Sequence, residues 1–242
     1  MTAGAPVAGA LGLLDGRPLP RTELDRRLAA LRSGPRSAAL PRPGSSEDRQ
    51  LARWVAQVVL TEELCSTVCA ERGLPLGTGT PARLDQQAAV ELGSITAAAY
   101  EGSAAVRAVF EAVTADVRPR ADEVAHYRAM TADRPAPALW RLGFPDGGGC
   151  EADPATLPLA LADALRAAGP GAWVTAGGWT AALLAVHPPG EAGGDPARAV
   201  RAAARRAAFV RWLDRTRATR LTLLPGLEHP GDPAQPDNHH RH

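Results

Sequence analysis

Between Glu47 and Arg72 the chain carries an unbroken helix-compatible run, and this run constrains the fold more than any other feature. Ser46 stands ahead of it as a cap, and Glu47 and Asp48 place negative charge in the first turn. Gly73 followed by Leu74 reads as a Schellman stop. Leu51, Val55, Val58 and Val59 recur at the helical period and form one apolar stripe. A helix this long leaves its stripe uncovered unless neighbouring elements pack along it.

The elements on either side are shorter. Leu11 to Leu19 reads as a short strand, a turn at Asp15-Gly16 and a second extended piece. Thr22 can cap a helix with Asp25 three residues on, and Leu24, Leu28 and Leu31 give it one apolar face. Gly34 to Ser46, with prolines at 35, 41 and 43, is expected to be a linker or surface loop. Helices are expected near Ala82–Leu92, Ser103–Val117 and Ala121–Met130.

After Arg134 the character changes. Leu139 to Phe144 reads as a strand, Pro145 to Gly149 as a loop and Leu157 to Ala167 as a helix. Trp173-Val174 and Gly178 to Val186 read as a hairpin broken at Ala176-Gly177. Pro196 to Arg217 is a long alanine/arginine helix, and Arg220 to Leu224 a final strand. Helices first and a smaller mixed region afterwards predict an α+β fold.

Composition narrows the function classes. The 242 residues are 45% hydrophobic and 22% charged, ordinary for a globular protein. A net charge of +1 points to neither a nucleic acid nor a membrane as partner. All 27 basic residues are arginine and Ile95 is the sole isoleucine, a bias of GC-rich coding rather than of phosphate recognition. Three cysteines, Cys65, Cys69 and Cys150, do not make a disulfide scaffold. The apolar opening lacks a basic n-region, and Val7 to Leu14 is too short to span a bilayer. A cytoplasmic location is therefore expected.

The stretch His229-Pro-Gly-Asp-Pro-Ala-Gln-Pro-Asp-Asn-His-His-Arg-His242 holds four of the six histidines. Imidazole and carboxylate together are common ligands for zinc, iron, copper and manganese. On an extended backbone His240 and His242 share one side, with His239 opposite. Turns after His229 can bring it back, and Asp232 and Asp237 can ligate or orient an imidazole. The alternative is a polar tail.

Glu62, Cys65 and Cys69 fall on one broad face of the long helix beside Val58. The functional reading is a catalytic carboxylate or a thiolate site. The competing one is buried thiols with Glu62 paired to an arginine such as Arg26 or Arg53. His126-Tyr127, after Asp122-Glu123, is a candidate for proton transfer or for covering a domain junction. His187 reads as a surface residue at a strand end. Trp54, Trp140, Trp173, Trp179 and Trp212 either cluster around an aromatic substrate or simply pack. The arginine pairs at 26–27 and 205–206 read as solvated helix faces or as a carrier-protein contact.

Several segments together resemble a known family. The opening Leu-Leu-Asp-Gly-Arg-Pro-Leu, Glu23 to Leu28, the helix Gln50 to Leu64 ending in Ala-Glu-Arg-Gly73, and Ala121 to Tyr127 resemble the N-terminal chaperone domain of SurA-type and PpiC-type parvulin foldases. Trp140 to Phe144 is similar to a first parvulin strand, and the segments Ala168 to Val174 and Gly177 to Val186 to its closing hairpin. The parvulin middle is compressed, the first-strand histidine is absent, and Thr180 stands where the last strand usually carries one. The C-terminal motif resembles that of small actinobacterial proteins that accompany aromatic-polyketide pathways. Some of those carry a malonyl-transferase label, yet this chain lacks a Gly-x-Ser-x-Gly elbow.

The resemblance implies a SurA-like helical domain over 1–134 and a reduced parvulin-like α/β region over 135–190. A long helix and final strand over 191–224 would pack back on the helical domain, followed by a His/Asp-rich arm over 225–242. The activity it implies is that of a metal-dependent tailoring or accessory enzyme of polyketide biosynthesis. Glu62 and His126 would be its catalytic groups, and His229, Asp232, Asp237, His239, His240 and His242 would hold a divalent zinc, iron, copper or manganese ion. An aromatic polyketide or a carrier-protein-bound intermediate would be the substrate, with a homodimer left open. The other classes are a peptidyl-prolyl isomerase or chaperone-like peptide binder and a non-catalytic partner of a synthase complex.

Overall fold

A computed structural model of the chain describes residues 9–35, 37–77, 82–131, 138–188 and 195–232. They form an α+β fold with two small antiparallel sheets, divided into two compact units, Met1–Gly73 with Trp212–His242 and Leu74–Arg211. The division falls between Gly73 and Leu74, and the chain returns to the first unit from Trp212 on.

In the first unit, β1 (Ala10–Leu14) and β2 (Arg17–Pro20) form a hairpin. Its turn uses Asp15 at φ 50° and Gly16 at φ 77°, a left-handed pair that Asp and Gly tolerate best. Helix α1 (Thr22–Ser33) follows, and α2 (Ser46–Arg72) runs the full predicted length. Two expected caps move by one residue. Ser45, not Ser46, accepts the Asp48 amide, and Arg21 precedes α1 without a side-chain cap, because a guanidinium has no acceptor; it pairs with Asp25 instead. Gly73 ends α2 at φ 59°, as its place in the sequence predicts.

Strand β7 (Leu221–Leu223) adds to β1, giving the order β2-β1-β7. Leu11, Leu24 and Leu28 from the first elements meet Val55, Val59 and Leu60 of α2, with Leu227 sealing the same cluster. Fully burying a leucine contributes about 1.5–3 kcal/mol, so this shared cluster holds distant chain segments together.

The second unit begins with α3 (Gln86–Leu92), α4 (Ser94–Gly102), α5 (Ala104–Thr114) and α6 (Ala121–Thr131). Helix α4 is unexpected: Gly93 at φ 77° turns the chain and lets Ile95, Ala97 and Ala99 bury on a separate axis. Strands β3 (Leu139–Gly143), β4 (Gly149–Ala152), β5 (Trp173–Ala176) and β6 (Trp179–His187) make an antiparallel sheet ordered β4-β3-β6-β5. Strand β4 was not expected either. The predicted hairpin is present as β5 and β6, with its turn at Gly177-Gly178.

Helix α7 (Leu159–Ala168) lays Leu161, Ala162 and Leu165 on Trp140, Leu142, Ala181 and Leu183 of the sheet. Helix α8 (Pro196–Arg220) contributes Phe209 to this unit and Leu213 to the first.

The register of β1 against β7 depends on Gly12. A β-carbon there would lie 2.8 Å from the Thr222 carbonyl oxygen, a backbone atom that cannot yield cheaply. Gly12→Ala is expected to lower stability by roughly 2 kcal/mol, read as an earlier urea midpoint.

Candidate functional site

The sequence-predicted residues do not converge on one place. Glu62 is mostly buried on α2 and bridged by Arg27, whose two terminal nitrogens reach its oxygens at 3.1 and 2.5 Å. The partner is thus Arg27, not Arg26 or Arg53. Arg27 also holds Glu23, and Arg26 with Arg27 draws the Glu23 carboxyl down to about 2. Cys65 and Cys69 are buried about one and two helical turns further along α2. Burial, with the neighbouring Cys69, pushes the Cys65 thiol up to about 12, and burial raises Cys69 as well. Burial thus keeps both thiols protonated near neutral pH.

His126 and Tyr127 lie on α6, which buries none of its side chains, and His126 faces solvent. His187 ends β6 half-buried, its Nε2 3.8 Å from Glu151 and without a hydrogen-bond partner. The tryptophans are divided between the units, Trp54 and Trp212 in the first and Trp140, Trp173 and Trp179 in the second. Trp140 packs in the sheet core under the Arg166 guanidinium, whereas Trp173 and Trp179 are 55% and 39% exposed on the β5–β6 hairpin.

His229 and Asp232 share one turn, closed by the Asp232 amide donating to the His229 carbonyl at 2.9 Å. The His229 ring accepts the Gly231 amide at Nδ1, 3.0 Å. That bond places the neutral ring's proton on Nε2, whereas a metal-bound imidazole normally donates from its other nitrogen. Asp237, His239, His240 and His242 lie outside the described residues. Among the described residues, no group of three or more histidines, cysteines or acids could hold a metal.

The feature that does converge lies in the second unit and was not foreseen. A cavity of about 200 Å³ opens between α3, α4, α5 and α8. Leu84, Leu92, Phe110 and Ala202 supply apolar wall, and Tyr100, Glu111, Arg205 and Arg206 supply polar groups. Phe110 stands edge-on to Tyr100 at 5.3 Å and to the buried Phe209 at 5.2 Å, a ladder that fixes both ring planes.

The arginines are not solvated helix faces. Arg205 lies 4.9 Å over the Phe110 ring, donates to the buried Thr114 hydroxyl at 2.8 Å and pairs with Glu111 at 2.5 Å. Arg206 pairs with Glu91 at 2.5 Å and is largely buried. Each guanidinium thus has its own carboxylate, and the lining is close to neutral.

Tyr100 is the exception to this saturation. Burial, reinforced by Glu111, raises its phenol above the ordinary value of 10.0, so it remains protonated at neutral pH. Its hydroxyl forms no hydrogen bond with any described residue. A half-buried donor without a protein partner, beside a flat apolar wall, can receive a ligand oxygen.

The sequence signal for this cavity was local. Arg205 and Arg206 precede Phe209 by four and three residues, which puts them on the buried side of α8. Tyr100 gave no such signal, because α4 itself was missed.

Residues 10–47 match the sequence profile of a family of unknown function (DUF7158), covering β1, β2, α1 and the loop into α2. No curated protein matches the chain, and no solved structure does.

The burial of Cys65 and Cys69 sets an expected outcome. A thiol-reactive disulfide reagent at pH 8 should titrate at most Cys150 in the native protein and all three cysteines in guanidinium. Fast native reaction of Cys65 or Cys69 would restore the thiolate reading of α2.

Proposed function

We propose that this protein binds a carbonyl-bearing aromatic ring in the Tyr100–Phe110 cavity, as a tailoring or accessory protein of polyketide-type metabolism. The observation that carries this reading is the protonated, unpartnered Tyr100 phenol beside the Phe110 wall. The phenol donates to the ligand's carbonyl oxygen, and the apolar wall takes the ring face. The Arg205–Glu111 and Arg206–Glu91 pairs keep the lining neutral and the walls rigid. A cavity of about 150 Å³ already accepts benzene, so this one takes a single ring, or one end of a longer carrier-bound intermediate.

The scaffold reading remains a resemblance to SurA-type and PpiC-type foldases. It is supported by β1 and β7 joining the two ends of the first unit. It is also supported by the first-strand segment, β3, lying hydrogen-bonded beside the closing hairpin strand β6. The peptide-binding alternative draws on Trp173 and Leu184, half-exposed apolar residues of the same hairpin.

Calorimetric titration with 2,4-dihydroxyacetophenone should give saturable binding. Tyr100→Phe should weaken it about tenfold, the value of one hydrogen bond, and Ala202→Phe should abolish it by filling the cavity. Equal affinity in wild type and Tyr100→Phe would overturn the proposal. Acceleration of prolyl isomerisation in a proline peptide, unchanged by both substitutions, would favour the peptide-binding reading.

The metal-dependent version further requires the His229 ring to give up its Gly231 hydrogen bond. Elemental analysis of the purified full chain should then find a divalent metal that is lost in a His229→Ala, Asp232→Ala double variant. Unchanged metal content in that variant would remove these two residues from the ligand set.

A further inference from the structure

We propose that Arg217 is the receiving group of a carboxylate-binding site in the first unit, separate from the aromatic cavity. Helix α8 brings this guanidinium against the middle of α2, where Nη1 donates to the Thr61 hydroxyl at 2.9 Å and Nη2 donates to the Gln57 side-chain carbonyl. Both acceptors are fully buried. Gln57 is itself fixed, its amide donating to the Leu227 carbonyl at 2.7 Å, and the Thr61 hydroxyl donates to the Gln57 backbone carbonyl at 2.8 Å. The Gln57 side-chain oxygen can only accept and the Thr61 proton is already committed, so both groups hold the guanidinium in one orientation.

What they do not supply is negative charge. Arg217 forms no ion pair with a carboxylate of any described residue, and Asp214 on the same helix acts on it only at longer range. The nearby Cys65 thiol is neutral. Other half-buried arginines of the unit are served differently: Arg27 holds Glu23 and Glu62, and Arg220 holds Asp15 and Glu71. Burial lowers the proton affinity of Arg217, the mark of a charge taken from water without compensation.

A buried ion without a counter-ion costs several kcal/mol, and an anion that completes it recovers much of that. Two of the five guanidinium donors are used by Thr61 and Gln57. The remaining three suffice for the two parallel hydrogen bonds that a carboxylate accepts. The residue stays partly exposed, so a ligand can reach it.

The test uses the full-length protein with sodium acetate as probe, exchanged against sodium chloride at constant ionic strength. Acetate should raise the thermal midpoint of wild type by roughly 2–4 °C and shift the Arg217 Nε–H resonance saturably. Arg217→Met should fold, with a lower midpoint in chloride because the buried Gln57 side-chain carbonyl loses its donor, and should lose the acetate response. Arg217→Lys, which keeps the charge but not the two-point geometry, should respond less than wild type. Equal acetate shifts in wild type and Arg217→Met would overturn the site. So would an Arg217 resonance that acetate leaves in place, a measurement that needs no variant to fold.

Discussion

The first unit depends on the pairing of β1 with β7, because that ladder brings the C-terminal segment to the polar centre of α2. Gln57 and Thr61 sit at zero exposure in the middle of a long helix, where unpaired side-chain polar groups are costly. Their partners, Leu227 and Arg217, come from the far end of the chain. The long helix is thus amphipathic in an incomplete way: its apolar stripe is covered by α1 and the hairpin, and its polar centre only by the returning segment. Arg220 reinforces the closure, its backbone carbonyl accepting the Asp15 amide at 2.9 Å while its side chain grips Asp15 and Glu71.

The second unit solves a different problem. Its helices α3 to α5 are short, with few large side chains, so an aromatic ladder from Tyr100 through Phe110 to Phe209 supplies much of their packing. Arginines beside such a ladder must be neutralised, and Glu111 and Glu91 do so. The result is a cavity whose charges are paired internally while one phenol is left over. That asymmetry, rather than any cluster of acids or histidines, is what distinguishes the Tyr100 cavity chemically. The four-stranded sheet of this unit is covered by α7 on one side, and its hairpin carries exposed Trp173.

Much of the architecture was legible in the sequence, for local reasons. The apolar stripe and Gly73 announced α2, Asp15-Gly16 announced the first hairpin, and Gly177 announced the second. These signals arise from backbone preference and side-chain period, which act within a few residues. They failed at α4 and β4, where short runs of small residues have no strong period and acquire structure from their neighbours. Candidate sites were less legible. Chemical identity drew attention to Glu62, Cys65, Cys69 and His126, yet a salt bridge, burial and solvent exposure leave them without shared geometry.

By itself, then, the sequence determined the α+β class, the long helix, the hairpins and the scarcity of charge imbalance. Tertiary structure alone decided that the last strand pairs with the first, that Arg205 and Arg206 turn inward, and that Tyr100 and Arg217 keep unused donors. Element formation is governed by neighbours along the chain, whereas the state of a polar side chain depends on which distant groups reach it, and that is set only when the segments pack.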